Sequence, residues 1–331
     1  MDRSQPDRGT IRAAVALACR APSVHNTQPW RWRIGDRSVH LHADPTRAIP
    51  ATDPRGADLL LSCGAALHHL RVALAGLGWR AVAHHLPNPA EPDHLAAVEF
   101  ARHEPTGTEV ALAAAIPRRR TDRRRYSTWD VPDAVSLLLE QRATEHDAVL
   151  RHITGSRTRF ELATAIEQAA ARQDADPAYR WELRLWSGRH ADSDGVPAAN
   201  APSGVPRHGD LRLREFPGGL LVDEPSGERE EDGALLLVLG TSSDDRLSTL
   251  RAGEAMSAVL LEATAAGLAA CPLSQPLEVA ATRDRVRDEV LDGLLSPQVV
   301  LRVGWAAFGA DPLLATPRRP LGEVVEGLAD S

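Results

Sequence analysis

Residues 21–32 read Ala-Pro-Ser-Val-His-Asn-Thr-Gln-Pro-Trp-Arg-Trp, a loop dense in side-chain amides and hydroxyls that runs straight into an aromatic strand. Ser23, Asn26, Thr27 and Gln28 can each donate and accept hydrogen bonds, and Pro22 and Pro29 stiffen the backbone that presents them. Such a ledge suits a flat ligand with polar edges. Further along stands Arg118-Arg119-Arg120-Thr121-Asp122-Arg123-Arg124-Arg125-Tyr126, and near the end Pro317-Arg318-Arg319-Pro320. The chain holds no lysine, so all 38 of its fixed cations are arginines and any phosphate must be held by forked guanidinium groups. An amide-rich ledge with two arginine clusters describes a ligand with a heteroaromatic head and an anionic tail, and flavin mononucleotide (FMN) fits.

Taken singly, each feature has an ordinary reading. The ledge reads as a polar helix-to-strand loop, and the basic run as a solvated helix end that complements the dipole. Thr121 amid Arg119, Arg120 and Arg123 sharpens the second, because a hydroxyl and several forks in one turn can wrap a phosphate. Pro317-Arg318-Arg319-Pro320 is weak alone. His40, His42 and Asp44 share a strand face, but no third-ligand spacing supports a metal, and a wet strand face is the reading taken. His68-His69 and His84-His85 are adjacent pairs expected to point apart in structural roles. No G-x-G-x-x-G follows a strand, and neither a P-loop nor a G-x-S-x-G is present, so no separate nicotinamide domain is expected.

These groups must be positioned by a chain of 331 residues, enough for two ordinary domains or one large one. Hydrophobic content of 43% and charged content of 25% are those of a soluble globular protein. A net charge of -7 argues against nucleic acid as the main partner, and the basic run is offset by residues 224–232. Cys19, Cys63 and Cys271 lie far apart without C-x-x-C spacing, as reduced buried thiols do. Residues 1–12 lack an apolar signal core, and the apolar run 59–77 is broken by His68, His69 and Arg71. The expectation is a cytoplasmic protein with neither membrane nor nucleic-acid partner.

A first helix is expected over 10–20, with Ile11, Ala14, Val15 and Ala18 on one face and Thr10 as its cap. Strands over 30–34 and 38–44 flank a Gly35-Asp36 hairpin signal. Residues 53–79 form a long apolar helix whose Ser62, Gly64, Ala65 and Ala66 permit close approach of a partner helix. Strands follow near 80–86 and 95–101. The order then restarts, with helices over 108–116, 133–142, 157–172, 179–186 and 250–266 and strands over 149–153, 234–240 and 299–305. Helix and strand recur in the same order in both halves, a weak internal repeat. Residues 187–232, rich in Gly, Pro, Asp and Ser, are too long for a passive connection and read as a lid, a binding loop or disorder.

Together these features resemble the nitroreductase-like flavoprotein family, and within it the fused-repeat Acg-type subgroup, over nearly the whole chain. Pro22-Ser23-Val24-His25-Asn26-Thr27-Gln28-Pro29-Trp30 is similar to the family's P-S-x-x-N-[ST]-Q-P-W loop. Arg119-Arg120-Thr121-Asp122-Arg123 resembles its R-[RH]-[ST]-x-[RK] phosphate motif, and Arg319-Pro320-Leu321 its C-terminal basic residue. The resemblance implies an α+β nitroreductase-like fold of two tandem repeats forming an intramolecular pseudo-dimer. Residues 1–105 would carry the flavin-ring ledge. Residues 106–331 would carry the phosphate arginines and the lid-like loop. In ordinary members two identical subunits supply these parts; here one chain would supply both, with one FMN and no second ledge.

By the same resemblance, Pro22, Ser23 and Asn26 contact the flavin ring and ribityl, with Val24 and Gln28 beside them. Val24 stands where the family often has a second serine, so one polar contact is lost. Arg119, Thr121, Arg123 and Arg319 hold the phosphate, with Arg120 and Arg318 adjoining. The segment Cys271-Pro272-Leu273-Ser274-Gln275 brings a backbone N–H to flavin N5, with Ser274-Gln275 replacing a common Glu-Gly. The implied activity is transfer of hydride from NAD(P)H through flavin N5 to an electron-poor small molecule such as a nitroarene, quinone or enone. No side-chain acid or base is obvious. The alternatives are an FMN-sequestering protein whose flavin is covered by a lid, and a degenerate relative that binds nothing. The chain would act as a monomeric pseudo-dimer or pair further.

Overall fold

The computed structural model describes residues 5–35, 37–189, 193–222 and 232–326; the acidic stretch 224–231 and residues 190–192 of the long loop lie outside the described residues. Within them one unit is built twice. The first copy runs α1 (Arg8–Ala18), β1 (Trp30–Ile34), β2 (Ser38–Ala43), α2 (Ala57–Gly76), β3 (Trp79–His85) and β4 (His94–Arg102). Helix α3 (Gly107–Ala115) leads to the second copy, which opens with α4 (Asp133–Thr144) and β5 (Val149–His152). An insertion follows: α5 (Ser156–Ala175), α6 (Pro177–Leu185) and the short strands β6 (Ser187–Arg189), β7 (Val196–Pro197), β8 (Arg207–His208) and β9 (Leu211–Arg212). The copy then resumes with β10 (Leu235–Thr241), α7 (Arg246–Ala265), β11 (Ala269–Leu273), α8 (Gln275–Glu278) and β12 (Ser296–Gly304).

The two sheets share one connectivity. The first is ordered β1-β2-β4-β3 and the second β5-β10-β12-β11, and every one of these pairings is antiparallel. In both, a 20-residue helix follows the second strand. A last strand, β13 (Val325–Glu326), pairs in parallel with β1, Val325 opposite Trp32, and so stitches the tail into the first copy's sheet. This duplicated α+β architecture is the expected pseudo-dimer.

Local chemistry sets the element ends. Helix α1 starts earlier than expected, because Asp7 rather than Thr10 is the cap: its carboxylate accepts the Thr10 N–H at 2.7 Å. Helix α2 starts later, at Ala57, because Asp53 lies outside it and accepts the N–H groups of Ala57 and Leu59, both at 2.9 Å. By length and composition α2 could cross a membrane, yet it is mostly buried as a core helix, which explains its apolarity on all sides.

Helices α2 and α7 cross where Gly64 meets Gly253. A Cβ on Gly64 would sit 2.0 Å from the Leu250 carbonyl oxygen, and one on Gly253 2.2 Å from that of Leu61. Only hydrogen fits at either place. The crossing joins the copies through one continuous apolar core that includes Trp30, Trp32, Leu67, Leu70, Val259 and Leu301. The adjacent histidines on α2 correct one expectation. They do not point apart, since the Nδ1 atoms of His68 and His69 both lie 2.8 Å from Ser257 Oγ of α7.

Candidate functional site

A cavity of about 870 Å³, its mouth included, lies at the junction of the two copies and the insertion. Residues 22–25 of the ledge form one wall, and Asp58, Leu61 and Ser62 of α2 lie beside them. Thr121 and Arg123 belong to the first arginine cluster, residues 271–276 lead from β11 into α8, and Leu213, Arg214 and Phe216 come from the insertion.

The ledge is bent by three side-chain-bearing residues in the left-handed region: His25 (φ 45°), Asn26 (φ 57°) and Gln28 (φ 51°). Such conformations persist where surrounding contacts impose them, and they cluster at binding sites. Ser62 Oγ accepts the Val24 N–H at 3.1 Å, Ser23 Oγ accepts that of Gln28 at 3.0 Å, and Arg47 Nε donates to the Thr27 carbonyl.

Pro22, Ser23 and Val24 line the cavity as the sequence suggests. Asn26 and Gln28 do not. Asn26 Nδ2 donates to the carbonyls of Gly195 (3.0 Å) and Pro317 (3.3 Å). Gln28 Nε2 donates to that of Ser193 (2.8 Å), while its Oε1 accepts the Arg319 N–H (2.9 Å). The left-handed turn carries both amides away from the cavity, and they brace the ledge to the insertion and the tail.

Thr121 and Arg123 also line the cavity. The Arg123 guanidinium lies 4.7 Å from the centre of the Phe216 ring and donates to the Asn200 carbonyl at 3.0 Å. Arg119 is buried, with Nε unpartnered and a long 3.5 Å bond from Nη1 to Thr121 Oγ1. Arg318 is held by its donation to the carbonyls of Cys19, Arg20 and Ala21, each at 3.0 Å.

Burial and the charges of Arg120 and Arg20 push Arg119 down to about 10; burial and the charges of Arg119 and Arg20 push Arg318 down to about 9. Arg20, whose buried Nε has no partner, was missed in the sequence, where it stands alone. None of the three makes an ion pair with a carboxylate among the described residues. Crowded guanidinium groups without an anion are the chemistry of a phosphate site.

Two neighbours are corrected. The Arg319 guanidinium turns to Glu323 (3.4 Å) and approaches Asp44 (4.0 Å). Arg120 directs its donors to the carbonyls of Pro117, Arg119 and Leu313. On the far wall, Pro272, Leu273, Ser274 and Gln275 all line the cavity. Ser274 Oγ donates to Glu278 Oε1 at 2.7 Å, and Gln275 Nε2 to Gln173 Oε1 at 2.9 Å.

Residues 193–222 of the expected lid form a packed cover, with Leu211, Leu213 and Phe216 buried. Within it Arg214 is buried, and its guanidinium donates to Glu278, to Tyr179 Oη (2.9 Å) and to His25 Nε2 (3.2 Å). Burial works against the Arg214 charge, but the Glu278 carboxylate more than offsets it and the guanidinium is raised. His25 packs edge-on against Phe216 at 5.6 Å. Burial first, and then the charges of Arg214 and Arg123, hold its imidazole well below its ordinary range, so it is neutral. His25, Asp58, Arg214 and Phe216 carried no distinguishing spacing, and only burial beside the cavity reveals them.

The other histidine candidates fall away from the cavity. His40 Nδ1 lies 3.0 Å from His94 Nε2, and His42 stacks on the same ring, while Asp44 pairs with Arg31. Among the described residues no His, Cys, Asp and Glu group is arranged to hold a metal.

No family model matches the chain. A Mycobacterium tuberculosis protein provisionally named NAD(P)H nitroreductase Rv3131 is 48% identical over 326 residues, covering 98% of this chain and 94% of its own. A second from that organism, provisionally named NAD(P)H nitroreductase acg, is 40% identical over 315 residues, covering 95% and 94%. Among solved structures, the FMN-dependent nitroreductase NfnB of Mycobacterium smegmatis in complex with NADPH superposes with a TM-score of 0.40 at 18% identity, covering 64% of this chain and 96% of its own.

Proposed function

The chain belongs to the nitroreductase-like family of Rv3131 and acg, and we propose that it is an FMN-dependent oxidoreductase that draws electrons from NAD(P)H and reduces a small electron-poor acceptor of the nitroarene, quinone or enone type. The observation that carries this reading is the group of Arg20, Arg119 and Arg318, without an acid, behind a cavity floored by a strained polar ledge. The unpartnered Nε atoms of Arg20 and Arg119 and the Thr121 hydroxyl fit the phosphate of FMN. Residues 22–24 and 272–275 would take its ring from two sides.

When bound, FMN supplies hydride acceptance and donation at N5. The protein supplies position and field. Arg123 sets a fixed cation in the wall, neutral His25 adds none, and Leu213 and Phe216 of the cover add apolar lining. We assign residues 1–105 and 106–331 as the two halves of the pseudo-dimer. One FMN per chain is expected, because residues 145–148 join α4 to β5 in the second copy where residues 19–29 join α1 to β1 in the first. Four residues offer no room for a second ledge.

The test is anaerobic stopped-flow mixing of the flavin-loaded protein with excess NADH and, separately, NADPH. Rapid bleaching by either supports the reductase. Yellow protein that ignores both supports a second reading, FMN sequestration, which is favoured by the packing of Leu213 and Phe216 over the cavity. A flavin-to-chain ratio near two would refute the single site.

A further inference from the structure

Resting on the reading of this cavity as a redox site, we infer that Asp58 is the acid that delivers the proton when the acceptor is reduced. Asp58 occupies the first turn of α2, is 7% exposed and lines the cavity. Three carboxyl groups meet here, Asp53, Asp58 and Glu278, with Arg214 as their cation. Asp53 Oδ1 and Oδ2 each accept a backbone N–H of α2, which partly offsets the burial and the Glu278 charge that raise its carboxyl. Glu278 has its donors in place: Arg214 and the Ser274 hydroxyl donate to Oε1, and Gln173 Nε2 donates to Oε2 at 2.6 Å.

Asp58 makes no ion pair among the described residues, and the Ser274 hydroxyl beside it donates to Glu278. The positive end of α2 favours an anion, but Asp53 already takes those N–H groups. Burial, and then the charges of Asp53 and Glu278, therefore hold Asp58 well above the usual carboxylate range, with Arg214 opposing. The remaining ionisable groups of the cavity wall are His25, which is neutral, Arg123, Arg212, which pairs with Asp174 at 2.8 Å, and Cys271, whose thiol is raised by burial. Asp58 is thus the one of the three carboxyls that lines the cavity, and it is held toward its protonated form.

Reduction of a quinone or enone adds one hydride and one proton. The hydride, drawn from NAD(P)H, brings the electron pair. The Asp58 O–H bond breaks as the proton forms the second new bond to the acceptor, and the carboxylate that remains regains a proton from water.

Asp58→Asn keeps the shape and removes the transferable proton. In the flavin-loaded protein, reoxidation by 1,4-benzoquinone should slow by about 10²-fold, the usual scale of general acid catalysis. The slowing should be confined to reoxidation and absent from bleaching by NADH or NADPH. Wild-type reoxidation should fall as pH rises through the Asp58 range, and that of the variant should stay flat.

A second readout needs no turnover. Folded Asp58 keeps a proton that the unfolded chain releases above about pH 4, so this group makes the wild type lose stability as pH rises. D58N should have the higher urea midpoint at pH 7, with the gap closing toward about pH 4. Reoxidation equal to wild type, equal slowing of both half-reactions, or a lower midpoint at neutral pH overturns the assignment. Wild-type flavin that neither nicotinamide bleaches is a separate result: it removes the redox reading and the proton donor with it.

Discussion

Replacing Arg119 with methionine should make the flavin-free protein more stable and the flavin weaker bound. Burial and neighbouring guanidinium charges hold Arg119 near 10, against an ordinary arginine above about 12, and each pH unit of difference is worth about 1.4 kcal/mol. The folded, anion-free protein therefore carries roughly 3 kcal/mol of unfavourable charge at this one side chain. Little offsets it. The 3.5 Å bond to Thr121 is worth under about 1 kcal/mol, and methionine keeps most of the packed stem. A net gain of about 2 kcal/mol is expected from these terms. Arg318 would be a poor choice for the same experiment, because its three bonds to the Cys19, Arg20 and Ala21 carbonyls would be lost as well.

Binding should move the opposite way. A hydrogen bond from a charged donor to phosphate contributes about 1.5–3 kcal/mol, so FMN should bind about ten- to a hundredfold more weakly. Urea unfolding of the flavin-free protein and fluorescence titration with FMN measure the two quantities on one sample. Inorganic phosphate should raise the wild-type midpoint more than that of the variant. A variant that is less stable than wild type and holds FMN equally well would refute the cluster as an anion site.

Gly253→Ala sets a methyl 2.2 Å from the Leu61 carbonyl oxygen. It should lower the urea midpoint by the equivalent of about 1–3 kcal/mol or more and loosen flavin retention on gel filtration, and an unaltered midpoint would contradict the described helix crossing. Asp232→Asn removes the carboxylate 2.7 Å from Arg302, which is 0% exposed; stranding that cation should cost about 3–5 kcal/mol by urea unfolding. His25, His68 and His69 are held neutral, burial being the first cause for each. Below about pH 6.5 the unfolded imidazoles take protons that the folded ones refuse, so these groups lose stability as pH falls. Urea midpoints at about pH 7.5 and 5.5 should therefore show a shallower acid slope in H68Q/H69Q than in wild type, and equal slopes would refute the assignment.

What could be read from the chain follows the range over which each signal acts. Helices α2 and α7 are long and apolar, and Gly64 marks a close approach, so both were visible from local composition. The ledge was legible as residue types, but its left-handed turn was not. That turn is imposed by Ser62, Gly195 and Pro317, remote in sequence, and it decides that Pro22, Ser23 and Val24 face the cavity while Asn26 faces away. Arg318 and Arg319 are equivalent on paper. Donation of the Arg319 N–H to Gln28 and the pairing of β13 with β1 fix which guanidinium turns inward. Asp58 carries no distinguishing spacing in the sequence, and its character depends on Glu278 and Arg214, brought in from the second half. Strand β13, two residues long, has no periodicity to detect.

The duplicated topology and the asymmetric site are reconciled by where the copies differ. Between β1 and β2 the first copy has only three residues, 35–37, whereas between β5 and β10 the second carries the whole insertion. That insertion reaches across to the first copy. Arg214 meets His25, Gly195 and Ser193 take the Asn26 and Gln28 amides, and Asp194 pairs with Arg47 at 2.6 Å. A symmetric pair of identical subunits would have to build cover and ledge twice. Fusion lets one copy supply the ledge and the other the cover, and the contacts between them are the ones that shape the cavity. The cover is therefore part of the binding wall, and a substitution that loosens Arg214 or Asp194 acts on the ledge as directly as one in residues 22–28.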